Sequence, residues 1–415
     1  MDESDVIIVG AGAAGLSLAY HLVAMDDSGT PPTVTLVDAV DEALRPPDRT
    51  WCFWEEGAGE FEDAVAASWG RLRVLGGDGT EASGRTRPYR YKMISSTGFR
   101  DLVERRLAGR PEVRVVRADV DAVRDVPGGA EVGGTAAGGR RLTMRARWVF
   151  DSRPPRLLPR ARTALAQHFR GWFVRAESPV FDPDAVVLMD FRTPQPPRGV
   201  SFGYVLPFGP AEALVEYTEF SPAPLNRDAY EQRLRHYTRD ILRLGPLRVD
   251  GCEQGVIPMT DALFPRRVGR SVFRIGTAGG ATRPATGYTF AAVQRQSRAI
   301  AAAYRRGAVP VPPAPYSIRA RAMDAVLLRL LARGRADGGQ FFTDLFKGVQ
   351  TARLLRFLDG DTSLWEDIAI GMHTPVVPML RTAVEVPLLP RRDLPVRPLR
   401  APSPDRVAGP QGAEP

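Results

Sequence analysis

The sequence is poor in the residue types that build several common kinds of site. It has two cysteines, Cys52 and Cys252, and four histidines, His21, His168, His236 and His373. Two thiols so far apart make no disulfide framework, and the four imidazoles stand at no spacing that would gather them round a metal, so no metal site is expected. A Walker-type phosphate loop and a nucleophile elbow are both missing, which removes the kinase and serine-hydrolase readings. No stretch approaches the ~18 consecutive apolar residues of a membrane-spanning helix. The N-terminus opens on an apolar run with no basic region or cleavage site before it, so the expected compartment is the reducing cytosol.

Lysine is almost missing as well: Lys92 and Lys347 stand alone among 56 basic residues. The formal net charge is nevertheless +8. The arginines are scattered among the 48 acidic residues and form no block, so nucleic acid is not an expected partner, whereas a basic face resting on anionic lipid is. At 415 residues, 44% hydrophobic and 25% charged, the chain has the composition of a globular protein of two or three modules. Fibrous, collagen-like and wholly disordered chains are excluded.

What is present begins with a strand, a glycine turn and a helix. Val6, Ile7, Ile8 and Val9 read as a buried strand, and Leu16, Ala19, Leu22 and Val23 mark one helical face. Between them lie Gly10, Ala11, Gly12, Ala13, Ala14 and Gly15. In this setting Gly10 permits the tight turn, Gly12 lets the backbone approach a pyrophosphate, and Gly15 allows close packing of helix on sheet. The helix N-terminus then attracts the phosphate charge. A second strand, 34–37, ends at Asp38, 23 residues after Gly15, where a carboxylate would take the ribose hydroxyls.

A second glycine-rich turn, carrying Gly276, Gly279, Gly280, Pro284 and Gly287, separates a strand at 271–276 from a helix at 287–305. Two such turns, far apart in sequence, suit a flavoprotein in which a late segment returns to hold the cofactor, and so favour FAD over NAD. Residues 76–86 and 127–140 read as glycine-rich hairpin loops, with a helix (Phe99, Leu102, Val103, Leu107) and a strand (Val113, Val115, Val116) between them. Three antiparallel strands are expected at 186–191, 201–206 and 213–218. A proline-rich linker at 309–315 leads to a helix whose shared face holds Met323, Val326, Leu327, Leu330 and Leu331, and the chain beyond Leu389 reads as disordered.

The expected architecture is α/β. A Rossmann-like FAD-binding domain (1–165 and 256–308) carries an inserted antiparallel-sheet substrate domain (166–255), then a C-terminal helical region (309–389) and a tail (390–415).

Seven short stretches stand in order along the chain: Arg49-Thr50-Trp51-Cys52-Phe53-Trp54, Phe150-Asp151-Ser152-Arg153, Met189-Asp190-Phe191, Tyr204-Val205-Leu206-Pro207, Val215-Glu216-Tyr217-Thr218, Ile257-Pro258-Met259 and Pro284-Ala285-Thr286-Gly287-Tyr288. Taken together they resemble the flavin-dependent lycopene cyclase family of the bacterial β-cyclase type. The resemblance runs from Asp5 to about Leu389. FAD-dependent hydroxylases usually carry Gly-Asp in the second flavin segment, whereas here Thr277 follows Gly276, which counts against that reading. Plant-type cyclases hold two adjacent glutamates in the acidic stretch; here Tyr217 replaces the second, so Glu216 inherits the acid role and Glu219 is its understudy.

The resemblance implies closure of the acyclic ends of lycopene into β-rings, giving β-carotene by way of γ-carotene. It also implies a non-redox use of reduced FAD, with NADPH as the reductant that primes it. The substrate has no polar handle, so apolar burial at about 25 cal/mol per Å² must hold it. An acid able to protonate an alkene must stay neutral near pH 7, which lifts a glutamate from about 4.3 towards 6 or 7 by desolvation. By strand alternation Glu216 shares a face with Leu214 and Thr218, opposite Val215 and Tyr217.

Trp51, Phe53, Trp54, Tyr204, Phe208 and Tyr288 are the candidate aromatic faces for a carbocation. The apolar face within 323–331 and the run 376–389, with their interspersed arginines, are the candidate membrane-facing entrance, which places the protein in the cytoplasm, peripheral on the inner face of the cell membrane. The competing readings are an FAD-dependent monooxygenase, epoxidase or prenyl-chain reductase and, outside enzymes, a flavin-bearing carotenoid-binding scaffold.

Overall fold

The computed structural model describes residues 2–24, 31–45 and 47–393. Strand β1 (Asp2–Val9) leads into helix α1 (Ala13–Val23) and strand β2 (Val34–Asp38). Then come β3 (Thr50–Glu56), β4 (Val65–Trp69), β5 (Arg71–Leu75), β6 (Glu81–Arg85), β7 (Tyr89–Ser95) and α2 (Ser96–Leu107). They are followed by β8 (Val113–Val126), β9 (Gly129–Ala136) and β10 (Arg141–Asp151). A second group holds β11 (Ala164–Ala176), β12 (Ala185–Asp190), β13 (Val200–Pro207), β14 (Glu212–Ser221), α3 (Arg227–His236) and β15 (Leu247–Thr260). The chain then returns through β16 (Val272–Arg274) and α4 (Phe290–Arg305), and ends in α5 (Ile318–Ala332), α6 (Gly338–Gly348), α7 (Thr351–Asp359), α8 (Leu364–Gly371) and α9 (Val376–Leu388).

β1 is the centre of a parallel layer, flanked by β2 and β10, with β8 outside β2 and β16 outside β10. Its apolar run is buried on both faces, as a central parallel strand requires. α1, α2 and α4 cover one face. The far half of β8 leaves β2 and joins β9 and β10 in an antiparallel meander, which covers the other face with Ala130, Val132 and Met144. The Rossmann-like domain is therefore present, with the shorter strand 272–274 and a helix beginning at Phe290 in place of the broader limits expected from sequence.

The second sheet has seven strands in the order β15–β11–β14–β13–β12–β5–β6, antiparallel throughout except where β12 lies parallel to β5. It extends beyond the expected 166–255 limits at both ends and recruits β5 and β6 from the first segment. The stretch 76–86 is thus a strand as well as a turn. Its small residues have a packing cause: a Cβ at Gly84 would lie 1.9 Å from Thr351 Oγ1 on α7. The same holds at 127–140, where β9 replaces the expected loop and a Cβ at Gly129 would lie 2.2 Å from the Ala146 carbonyl oxygen. A third sheet, β3–β7–β4, lies between the two domains.

α3 covers one face of the seven-stranded sheet through Tyr230 and Leu234. The opposite face packs with the third sheet and with Leu328 of α5, Phe341 of α6 and Leu354 of α7. Here the face expected for α5 is rotated. Met323, Val326 and Leu327 are only half-buried, while Asp324 is buried beside Ala325 and Leu328. The cause is Arg283, 1% exposed, whose Nε donates to Asp324 Oδ1 at 3.2 Å while the guanidinium lies over the Tyr316 and Phe357 rings. A buried cation needs its counter-ion more than the core needs one methionine. In the expected tail, Arg392 bridges to Ala161, and residues 394–415 lie outside the described residues.

Asp324→Ala leaves Arg283 charged and unpaired in the core. It should lower unfolding stability by about 3–5 kcal/mol, read as a shifted denaturant midpoint by tryptophan fluorescence, whereas Met323→Ala should shift it far less.

Candidate active site

The glycine turn at 10–15 is tight where it packs and open where a ligand would lie. Gly10 has φ +99°, and a Cβ there would sit 2.3 Å from Ser152 Oγ. A Cβ at Gly15 would sit 1.8 Å from the Gly10 carbonyl oxygen, which is the close helix–sheet contact that a glycine permits. Gly12 has open space before it and begins α1 with no side-chain cap, which leaves the N-terminal end of the helix clear for an anion. The second glycine turn closes on the first, since a Cβ at Gly276 would lie 2.8 Å from the Ala14 Cβ. Gly279 lies against the Arg274 carbonyl and Gly280 beside Phe264. Asp38 stands at the end of β2, where Arg117, Arg45 and Arg100 all converge on its Oδ2. The cradle fits a dinucleotide.

Pro284 and Gly287 are not at that cradle. They lie on the next stretch of chain, which turns towards the seven-stranded sheet: a Cβ at Gly287 would sit 2.3 Å from Gln167 Oε1 on β11. Around this turn three buried polar atoms have no hydrogen-bond partner, namely Gln167 Oε1, Thr286 Oγ1 and Trp54 Nε1. Orphaned donors and acceptors at one place are costly unless a ligand meets them, and the polar edge of a flavin ring suits the set.

Beyond the turn, Glu216 projects from the middle of β14. It is 6% exposed, with Leu214 and Thr218 buried on its own face and Val215 and Tyr217 buried beneath α3 on the other. Across the sheet its partner on β11 is Gly171, whose partner on β15 is Glu253. A Cβ at Gly171 would lie 2.7 Å from Glu216 Cγ, so the missing side chain is the space in which the two glutamates meet. Burial first, and the charge and hydrogen bond of Glu253 second, hold the Glu216 carboxyl well above the usual carboxylate range. Glu253 is itself clamped: the Thr50 backbone N–H donates to one oxygen at 3.0 Å and the Thr50 hydroxyl to the other at 2.9 Å.

On the next strand over, Tyr204 stands opposite Glu216. Its hydroxyl donates to Cys52 Sγ at 3.1 Å and pairs with Tyr91 at 2.9 Å, and Tyr91 pairs in turn with Tyr288 at 2.9 Å. Burial raises all three phenols. Trp54 stacks on Tyr91 with ring centroids 6.2 Å apart and meets Tyr288 edge-on at 4.8 Å. Of the six candidate aromatics, Trp54, Tyr204 and Tyr288 are thus brought together. Alternation along β3 sends Trp51 and Phe53 to the opposite side, against Phe290 of the nucleotide domain. Phe208 is exposed at the sheet margin, stacked on Phe173. Glu219 faces away as well, accepting from Tyr217 at 3.0 Å on the α3 side of the sheet, and is no understudy for Glu216.

The family model described as lycopene cyclase protein matches residues 5–384. The chain belongs to the lycopene cyclase family. No curated protein sequence is significantly similar to it. Among solved structures it resembles a flavoprotein/dehydrogenase from Cytophaga hutchinsonii (TM-score 0.61, 12% identity, 93% of this chain and 99% of that one). It also resembles a geranylgeranyl bacteriochlorophyll reductase-like protein from Thermoplasma acidophilum (0.59, 12%, 93% and 100%). A third is p-nitrophenol 4-monooxygenase from Pseudomonas putida (0.59, 16%, 94% and 100%). At these identities the likeness shows the fold, that of the Rossmann-type flavoproteins, and nothing of the reaction.

For this lycopene cyclase family member, sequence reasoning missed Glu253, Tyr91 and the role of Thr50. One signal was available. Gly171 interrupts an apolar strand, and a glycine inside a strand marks a place where something must come close. Among the described residues there is no cluster suited to a metal ion.

The two thiols should differ sharply. Cys252 is exposed, whereas the half-buried Cys52 thiol is pushed up to about 12, by desolvation first. Because the thiolate is the reacting form, Ellman's reagent at pH 8 should titrate one thiol in the native protein and two after denaturation.

Proposed function

We propose that the protein is an FAD-dependent lycopene β-cyclase, converting the acyclic ends of lycopene into β-rings by proton-initiated closure, through γ-carotene to β-carotene. The observation that carries this reading is the Glu216 carboxyl, raised by burial at the family's acid position, beside the buried recess where Tyr204, Tyr91, Tyr288 and Trp54 meet. Residues 10–15, Asp38 and the Gly276–Gly280 turn would hold the dinucleotide, with Pro284 and Gly287 bordering its ring. Reduced flavin, primed by NADPH, supplies negative charge beside a developing cation when bound.

The chain's own groups do the rest. Glu216 gives its proton to the terminal alkene carbon. The recess keeps water from the tertiary cation, and the Trp54, Tyr204, Tyr91 and Tyr288 faces each contribute ~1–2 kcal/mol to a cation in a dry site. The neighbouring alkene then closes the ring and a ring proton leaves, so no electron is gained or lost. Leu214, Leu206 and Met93, all buried beside the recess, offer the apolar contacts a hydrocarbon needs.

Purified protein given lycopene and chemically reduced FAD without oxygen, in deuterated water, should form γ-carotene and then β-carotene bearing deuterium at each closed ring. Pigment turnover only with oxygen and continued NADPH consumption would instead mark a monooxygenase. Glu216→Gln should keep flavin and lower kcat by at least ~100-fold. Since the active form is the protonated one and Glu216 is raised, activity should hold through neutral pH and fall as pH rises through the raised value.

We also propose that the protein works in the cytoplasm against the inner face of the membrane. No helix among the described residues is long and apolar enough to cross a membrane. Instead α8 and α9 present Leu364, Trp365, Ile368, Met372, Val377, Leu380, Val384 and Leu388 to solvent, with Trp365 78% exposed, as an interfacial face would. The other candidate entrance, 323–331, supports this less, because Leu328, Leu330 and Leu331 are packed in the core. Replacing Trp365, Val377 and Leu380 by serine should abolish co-sedimentation with anionic liposomes; undiminished binding would refute the placement.

A further inference from the structure

The reaction proposed above gives one proton to the substrate and takes one back, and the acid that does this must keep its proton until the alkene is in place. The structure offers a second carboxyl at the right place. Glu253 is 7% exposed, lies on the strand beyond Gly171, and is brought against Glu216 by register, since both glutamates stand opposite the same residue of β11. Directly paired positions share a face of a sheet. Gly171 leaves the gap between them open, and substituting any side chain there would drive into Glu216 and Leu214. Thr50 gives one donor to each Glu253 oxygen, which sets Glu253 as the acceptor of the pair and Glu216 as the donor.

We infer that Glu253 is the proton-holding partner of Glu216, a positioning residue through which the pair shares one proton across the Gly171 gap. This rests on the cyclase reading only for the identity of the final acceptor. Glu216 loses its proton to the alkene carbon as the π bond becomes a C–H bond, leaving two carboxylates. Ring closure moves the cation onto a ring carbon. The C–H bond that breaks there leaves its electron pair in the new ring double bond, and its proton returns to the carboxylate pair. One proton enters, one leaves, and no oxidant or reductant takes part.

Charged and titratable groups face the pair from each neighbouring element. Arg49 precedes β3 and is held down by burial but raised by Glu253; Cys52 lies on β3, Tyr91 on β7 and Tyr204 on β13. Arg49 favours a charged partner, and the thiol and the buried phenols stay neutral near pH 7. Of these groups Glu216 is the carboxyl, raised by burial and by the charge of Glu253 beside it, which favours its protonated form.

The test is a pH titration of the protonated-carboxyl infrared band in purified, flavin-loaded protein without carotenoid, which reads the shared proton whether or not the protein cyclises lycopene. The band should persist above neutral pH and vanish in Glu216→Gln. In Glu253→Gln its midpoint should fall by at least about one pH unit, a tenfold loss of proton affinity, because the charge and the acceptor are gone. In Thr50→Val the midpoint should rise, because Glu253 loses a donor to its carboxylate form. Opposite movements are the signature of proton sharing, and a merely structural role would not produce them. An unmoved midpoint in Glu253→Gln, or movement in the same direction in both variants, would overturn the inference. Should Glu253→Gln fail to fold, the rise in Thr50→Val decides alone. Band shifts as expected in a protein that leaves lycopene unchanged would uphold the carboxyl pair and refute the cyclase reading.

Discussion

The structure depends on placing two carboxyl groups side by side where water does not reach. A buried carboxylate without partners is too costly to keep, and two together repel, so the fold must supply space, donors and a reason for one to stay neutral. Gly171 supplies the space and Thr50 the donors, while desolvation first and the charge of Glu253 second raise Glu216. β14 is an interior strand and β15 the edge strand, and both faces of the sheet near Glu216 are covered, one by α3 and the other by the β3–β7–β4 sheet and the C-terminal helices.

The same logic of compensated burial joins the two halves of the molecule. The chain leaves the second glycine turn, passes Arg283, and reaches Tyr288 before α4 begins. Arg283 is anchored to Asp324 and to the Phe357 carbonyl oxygen at 2.5 Å, so the helical region holds the segment that lies between the cradle and the recess. A neutral side chain at 283 would pack, but it would not tie α5 and α7 to that segment with directional bonds.

Much of the nucleotide half was legible from sequence because its signals are local. A buried strand, a glycine turn and a helical face lie within 25 residues, and the turn chemistry dictates its own geometry. The antiparallel strands around Glu216 were legible for the same reason. What could not be read was placement across the sheet. Glu253 gives no local signal, since its importance comes from sharing a neighbour with Glu216 through β11, and register between strands 37 residues apart is not written in either. The aromatic set divided by alternation, which a list of residue types does not show: Cys52 and Trp54 face the recess, while Trp51 and Phe53 face the nucleotide domain. The edge hairpin β5–β6 was hidden because its small residues, needed under α7, mimic a loop.

Thr50 belongs to one sheet and Glu253 to another, so the two bonds between them span the seam between those sheets. Any spreading of that seam strips a carboxylate of both its donors at once. A displacement of either sheet is therefore felt at Glu253 before anywhere else, and the join between two layers of the fold is also what fixes the two oxygens of one carboxylate.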